Sequence, residues 1–351
     1  MSDVIGGYEL VTDFTTAGGG QSRWAFAKRK GTEYFLKEFL SPKFPVDGAP
    51  GSEATKARQR NACTAFEKHH NAITQVLRPL SSSGGNLVVT TDFFRAGPRY
   101  YKVTEKVEVT DWAPEDVARL PLGSRLLLML TVAHSLNVLH RAGLVHGDVK
   151  PPNILIKRLG EERFGTKLID FDNAVLAAKP LPPPDQVVGD MAYYSPELVR
   201  YINDPHDDAR LSGASDIFAL GLVYAEWLTG CKPRFDPDAR YAGVAVARGN
   251  HLEVGAIESG ALGELIATMV SEPASARPTA EQVHSALRAV RSATATDLTA
   301  TGKLGKMSEP ESPGHGLRGT LLKRSDGEAP PPTEKATSAL RGSLARKAER
   351  K

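Results

Sequence analysis

Residues 146–155 read His-Gly-Asp-Val-Lys-Pro-Pro-Asn-Ile-Leu, and this run constrains the fold more than any other part of the chain. Asp148, Lys150 and Asn153 place a carboxylate, an ammonium and a carboxamide within six positions, with Leu144-Val145 before them and Ile154-Leu155 after. Such a pattern describes a polar loop held between buried elements, the usual way a rigid scaffold presents reactive groups. The three side chains are a base, a cation and a metal ligand, which is the set that moving a phosphoryl group needs.

The chain ahead of this loop reads as strands at Tyr8–Phe14, Arg23–Arg29 and Tyr34–Phe39, with turns at residues 17–20 and 30–32. Three glycines at 18–20 let the backbone lie close over a phosphate, although glycine runs between strands are commonly plain hairpin turns. In Phe35-Leu-Lys-Glu-Phe39 the strand period puts Lys37 on the face of two phenylalanines, so it is expected to reach into a site. A helix follows, with Cys63, Phe66, Ile73 and Leu77 at helical spacing and Glu67 at the edge of that stripe. Strands resume at Asn86–Phe94 and Arg99–Val107.

Beyond Asp111 the pattern turns helical, with Leu120–Arg141 leading into the loop. Two short strands follow it, Ile154–Lys157 and Thr166–Ile169, the second delivering Asp170-Phe-Asp172. Residues 173–194 are proline-rich and poor in order signals. Helices are expected at Ser215–Thr229, Ala256–Val270 and Ala280–Val290, and from Ser292 the composition predicts a disordered tail.

Charge and cysteine content narrow the function classes. A net charge of +3 from 44 basic and 41 acidic residues gives no reason to expect a nucleic-acid or membrane partner. Two cysteines at 63 and 231 fit neither a metal motif nor a disulfide framework, so a reduced, cytoplasmic protein is expected. The most apolar run, Leu126–Leu139, is broken by Thr131, His134, Ser135 and Asn137 and reads as a buried helix. The tail from Ser292 carries 11 basic and 7 acidic residues, leaving the body near neutrality, so an electrostatic partner should meet the tail.

Taken together, these residues resemble the eukaryotic-like, bacterial-type serine/threonine protein kinases over residues 8–291. His146–Asn153 resembles the catalytic loop, Asp170-Phe-Asp the metal motif, Ser195-Pro-Glu197 the end of the activation segment, Asp216–Gly221 the central helix and Arg277-Pro278 the late arginine. The resemblance implies an α+β, bilobal fold: a small β-rich lobe with one helix at 8–107, a larger mainly helical lobe at 111–291, and a disordered basic tail at 292–351.

It also implies roles. Asp148 would orient the acceptor hydroxyl and take its proton, Lys150 would steady the γ-phosphate, and Asn153 and Asp170 would hold Mg2+ between the phosphates of ATP. Lys37 would bind the α- and β-phosphates while paired to Glu67, with Gly18 and Gly20 covering the nucleotide. Thr104 would guard the adenine pocket, Glu105 to Val107 would form the hinge, and Leu155 counts with the nucleotide-binding residues. Glu197 and Arg277 would form a structural ion pair.

Several residues depart from the family pattern, and the first departure bears on control. Gly147 stands where many members carry the arginine that reads a phosphorylated activation segment, and no Ser or Thr lies between Asp170 and Tyr194. Activation by phosphorylation of that segment is therefore not expected. Asp190 replaces a threonine near the catalytic aspartate, Phe35 a small residue over adenine, Arg23 the third glycine of the loop, and Asp172 the glycine of the metal motif.

Two other readings compete. Aminoglycoside-phosphotransferase-like small-molecule kinases also carry His-Gly-Asp and Ile-Asp-Phe motifs, but Lys150, Ser195-Pro-Glu197 and Arg277 belong to the protein-kinase pattern and to protein substrates. A pseudokinase would typically lack one of Lys37, Asp148 and Asp170, and all are present. In the tail, Leu317-Arg-Gly-Thr-Leu321 and Leu340-Arg-Gly-Ser-Leu344 form a short repeat. Chance in a Leu/Arg-rich stretch is the plainer account; the sharper one makes Thr320 and Ser343 autophosphorylated sites for a phosphopeptide-binding partner.

Overall fold

The computed structural model describes residues 3–17, 22–46, 48, 50–81, 86–160, 163–206 and 208–301, with side chains as far as 294. These residues lie in a unit spanning Met1–Lys303. Gly18, Gly20, Thr320 and Ser343 fall outside the described residues.

The small lobe is built from β1 (Val4–Ile5), β2 (Tyr8–Leu10), β3 (Ser22–Arg29), β4 (Thr32–Phe39), α1 (Glu53–Leu80), β5 (Thr90–Ala96) and β6 (Arg99–Glu105). The strands form an antiparallel sheet in the order β1-β2-β3-β4-β6-β5. Alternation decides which face is buried: Tyr8, Ala27, Leu36, Tyr101 and Val103 cluster on one side, while Phe39 and Tyr100 meet Cys63 of α1 on the other. Ser52 caps α1 by accepting from the Thr55 amide at 3.2 Å, Glu53 sits in its first turn, and Cys63, His70, Ile73 and Leu77 are its buried stripe.

The large lobe continues with α2 (Pro114–Ala118), α3 (Leu122–Arg141), β7 (Leu144–Val145), β8 (Ile154–Arg158), β9 (Phe164–Leu168), β10 (Val175–Leu176), α4 (Pro196–Asn203), α5 (Gly213–Thr229), α6 (Ala242–Ala247), α7 (Gly260–Met269) and α8 (Ala280–Thr301). Helix α5 runs through the middle of the lobe with every residue from Ser215 to Leu228 buried, as expected of a helix that is apolar all round. Ser212 caps its start, and Gly230 ends it in the left-handed conformation at φ +74°. Helix α3, at 20 residues, is long and apolar enough to cross a membrane by length and composition. Its buried residues, however, belong to the core shared with α5 and α8, and its Arg125 donates to the Leu228 carbonyl at 3.1 Å and pairs with Glu258 at 2.6 Å.

The structure shifts several expected boundaries. The first strand stops at Leu10, the one expected from Asn86 begins at Thr90, and the next ends at Glu105. Residues 173–194 contain β10 and short 3-10 turns, and α4 and α6 are helices that periodicity did not announce because each is under three turns long. Helix α8 continues past Val290 to Thr301, so the disorder expected from Ser292 does not begin there: the helix runs on through a Thr-rich stretch that composition alone did not mark as helical.

Candidate active site

The loop between β7 and β8 is fixed from below by Asp216, near the start of α5. Its carboxylate is buried and accepts from the amides of His146 at 2.8 Å and Gly147 at 2.9 Å and from His140 Nε2 at 2.8 Å. Burial would raise its pKa, but the His140 hydrogen bond, the nearby imidazoles and the Gly147 amide outweigh it, and the net shift is downward. His146 Nε2 also lies 2.9 Å from the Ile169 carbonyl, and its ring packs 5.0 Å from Phe171, so the loop and the end of β9 are one assembly.

On this base Asp148 sits buried, the residue 8% exposed. Asn153 Nδ2 donates to its Oδ2 at 3.0 Å and to its carbonyl at 2.8 Å, and Lys150 Nζ reaches the same Oδ2 at 2.9 Å. Oδ1 faces the Asp190 amide at 3.4 Å. Asp190 thus meets Asp148 through its backbone; its own carboxylate caps the next turn, accepting from the Ala192 amide at 3.0 Å. Because the Asn153 amide nitrogen is committed to Asp148, the ligand Asn153 offers is its carbonyl oxygen. Its main-chain carbonyl accepts from the Ile169 amide at 3.0 Å, which ties it to the residue before Asp170.

Asp170 is the strained residue of the metal motif, at φ +62°, ψ +70°, a conformation that costs a non-glycine residue of the order of 1–2 kcal/mol. Lys37 holds it there, with Nζ 3.1 and 3.0 Å from its two oxygens. Lys37 also lies 2.6 Å from Asp172 Oδ2. Burial alone would depress the Lys37 ammonium, but Asp172 and then Asp170 more than offset it and hold its pKa above the usual lysine value.

The expected partnership of Lys37 with Glu67 is not what the structure shows, and this is a correction. Glu67 accepts from Tyr100 Oη at 2.6 Å. The α1 residues facing the metal motif are His69, whose Nε2 lies 3.0 Å from the Asp172 carbonyl oxygen, and His70, whose Nδ1 is 3.9 Å from Asp172 Oδ1. Burial pushes the His70 imidazole down to about 3, so at neutral pH this is a contact of a neutral ring and not an ion pair. Lys102 on β6, buried and directly opposite Lys37 in the sheet, hydrogen-bonds Asp172 Oδ1.

Arg23, at the position of a loop glycine, turns away from the cleft. With Arg99 and Tyr101 it surrounds buried Glu38, at 2.8 and 3.0 Å from Arg23, 2.5 Å from Arg99 and 2.9 Å from the Tyr101 hydroxyl. Phe35 stacks on Trp24 at 5.3 Å and lies opposite Thr104 across the sheet. Glu105 closes β6 and pairs with Lys167, Val107 follows in the connection to the large lobe, and Leu155 is half-buried in β8.

The activation-segment end is locked down. Arg277 is bidentate to Glu197, at 2.9 and 3.0 Å, and donates further to the carbonyls of Ala214 and Ser271. Tyr193 and Tyr194 are buried; the Tyr193 hydroxyl donates to Glu226 at 2.8 Å, and burial pushes the Tyr194 phenol up to about 12.

Among the described residues no cluster of three His, Cys, Asp or Glu could hold a metal ion alone. The carbonyl oxygen of Asn153 and the carboxylate of Asp170 are two hard oxygen donors, which fits Mg2+ that takes its remaining ligands from phosphates and water. Chemically the arrangement supplies a held carboxylate base, cations for phosphate, and a partial ligand set for a hard cation.

Comparison with known proteins places residues 54–286 in the protein kinase domain family, about two thirds of the chain; Lys37 and the preceding strands lie outside that match. The chain is 32% identical over 200 residues to the serine/threonine-protein kinases drp72 of Corynebacterium efficiens, covering 55% of this chain and 34% of that one. It is 38% identical over 137 residues to the serine/threonine-protein kinases PknA of Corynebacterium glutamicum, covering 39% and 26%. It is also 38% identical over 115 residues to the serine/threonine-protein kinase PknL of Mycobacterium tuberculosis, covering 32% and 26%. The aligned regions therefore span about a third or less of those relatives' lengths.

Proposed function

The chain belongs to the protein kinase family, and on that premise we propose that it transfers the γ-phosphate of ATP to Ser or Thr hydroxyls of proteins, itself included. The observation that carries this reading is the Asp148–Lys150–Asn153 group, held on Asp216 and coupled through Asn153 to the segment that bears Asp170.

In this reading Asp148 Oδ1, the oxygen not used by Asn153 and Lys150, accepts the proton of the acceptor hydroxyl. Lys150 neutralises charge on the transferring group, and Lys37 takes the α- and β-phosphates. Thr104, Glu105 and Val107 line the adenine end with Leu155. Asn153 and Asp170 would hold Mg2+, which when bound neutralises phosphate charge.

Protein acceptors are supported over small molecules by the Glu197–Arg277 clamp, which fixes the segment against which a peptide would lie. Independence from activation-segment phosphorylation is supported by the burial of Tyr193 and Tyr194 and by Gly147, which offers no cation to a phosphate. The test is incubation with labelled ATP and Mg2+, with and without general protein substrates. Label on protein Ser or Thr is expected; ATP consumption with label only on small hydroxyl compounds would contradict it.

A further inference from the structure

Two lysines, not one, reach the Asp170–Asp172 segment. Lys37 on β4 and Lys102 on β6 lie directly opposite each other in the sheet. Side-by-side cations on neighbouring strands repel unless an anion stands between them, and Asp172 is that anion. Its Oδ2 is 2.6 Å from Lys37 Nζ and its Oδ1 is bonded to Lys102 Nζ, so one partly buried carboxylate bridges both. Helix α1 contributes no carboxylate here, because Glu67 is committed to Tyr100 and the residues it turns towards Asp172 are His69 and His70.

Asp170 touches Lys37 as well, at 3.0 and 3.1 Å, but on the kinase reading that carboxylate belongs to the metal. An ammonium has three N–H donors. If the metal claims Asp170, Lys37 keeps its bond to Asp172 and frees the donors now on Asp170 for phosphate oxygens.

Resting on the kinase reading, we propose that Asp172 is the residue that positions Lys37 on the nucleotide phosphates, in place of a helical glutamate, and that Lys102 is the counter-cation that fixes Asp172. Asp172 and Lys102 are positioning residues: they act through Lys37. The same contacts read as a lock, with Asp172 competing against phosphate for Lys37, give the opposite sign, so measurement separates the two.

The experiment measures Kd for trinitrophenyl-ATP by fluorescence, KM for ATP in protein phosphorylation, and Tm without nucleotide. Asp172→Asn and Lys102→Met are expected to raise Kd and KM by about tenfold or more, the effect of losing a charge-assisted hydrogen bond to the lysine. Lys102→Arg keeps the cation and should recover most of the affinity, and Glu67→Gln should raise Kd less than Asp172→Asn. The double variant Asp172→Asn with Lys102→Met keeps the cluster's net charge; its Tm should return towards that of the parent while its Kd stays high, which a merely structural role would not produce. Kd and KM unchanged or lowered in Asp172→Asn, or Kd restored in the double variant, overturns the proposal while the kinase reading stands. A parent protein that neither binds the nucleotide nor transfers phosphate overturns both.

Discussion

At position 147 the backbone stands at φ +75°, and a Cβ added there would meet the Asn173 carbonyl oxygen at 2.7 Å. The glycine is thus more than an absent arginine: it relieves a tight left-handed turn whose amide must face Asp216. Gly147→Ala is expected to cost about 1–2 kcal/mol from the left-handed backbone alone, measured by urea unfolding; an unchanged stability would show that the turn relaxes freely. Asp216 carries the pH dependence of the same turn. Its pKa is depressed in the folded protein, so its stabilisation is present above the unfolded carboxylate value of about 4 and is lost as pH falls through the folded value. The stability gap between the parent and Asp216→Asn should be full at neutral pH and narrow on acidification below about pH 4; a gap that persists in acid would contradict the assignment.

Among the elements, α5 and α1 show what a sequence reveals and what it withholds. Helix α5 was legible because its apolar residues form a continuous local signal. For α1 the period identified the buried face, but not which residues of a 28-residue helix would face the metal motif; that depends on docking against β4 and β6, and it brought His69 and His70, two and three residues after Glu67, to Asp172. Lys102 carried a readable signal, since the strand period puts it on the face of Tyr100 and Thr104, much as Lys37 sits with Phe35 and Phe39. Asp172 stood out as a replacement for a glycine, but not for what it does, because its meaning lies in two lysines on other strands. The ion pair between α4 and the segment before α8 makes its own prediction. Arg277 has a side chain with 0% exposure, so Arg277→Ala should destabilise by about 3–5 kcal/mol, the usual result of stranding a buried charge partner. Chemical denaturation checks this, and a loss under 1 kcal/mol would show that Glu197 finds water instead.

For the molecule as a whole, the polar groups between the lobes converge from five places: Lys37 and Lys102 from the sheet, His69 and His70 from α1, Asp170 and Asp172 after β9, Asn153 and Asp148 from the loop, and Asp216 beneath it. The central claim is that this convergence makes Asp148 the base for phosphoryl transfer to protein hydroxyls. The most direct measurement is the rate of label transfer from ATP with Mg2+ to protein by the parent chain and by Asp148→Ala, with Tm confirming that both are folded. The account predicts a loss of about 10²–10⁴-fold in the variant; a folded Asp148→Ala chain that transfers phosphate as fast as the parent would contradict it.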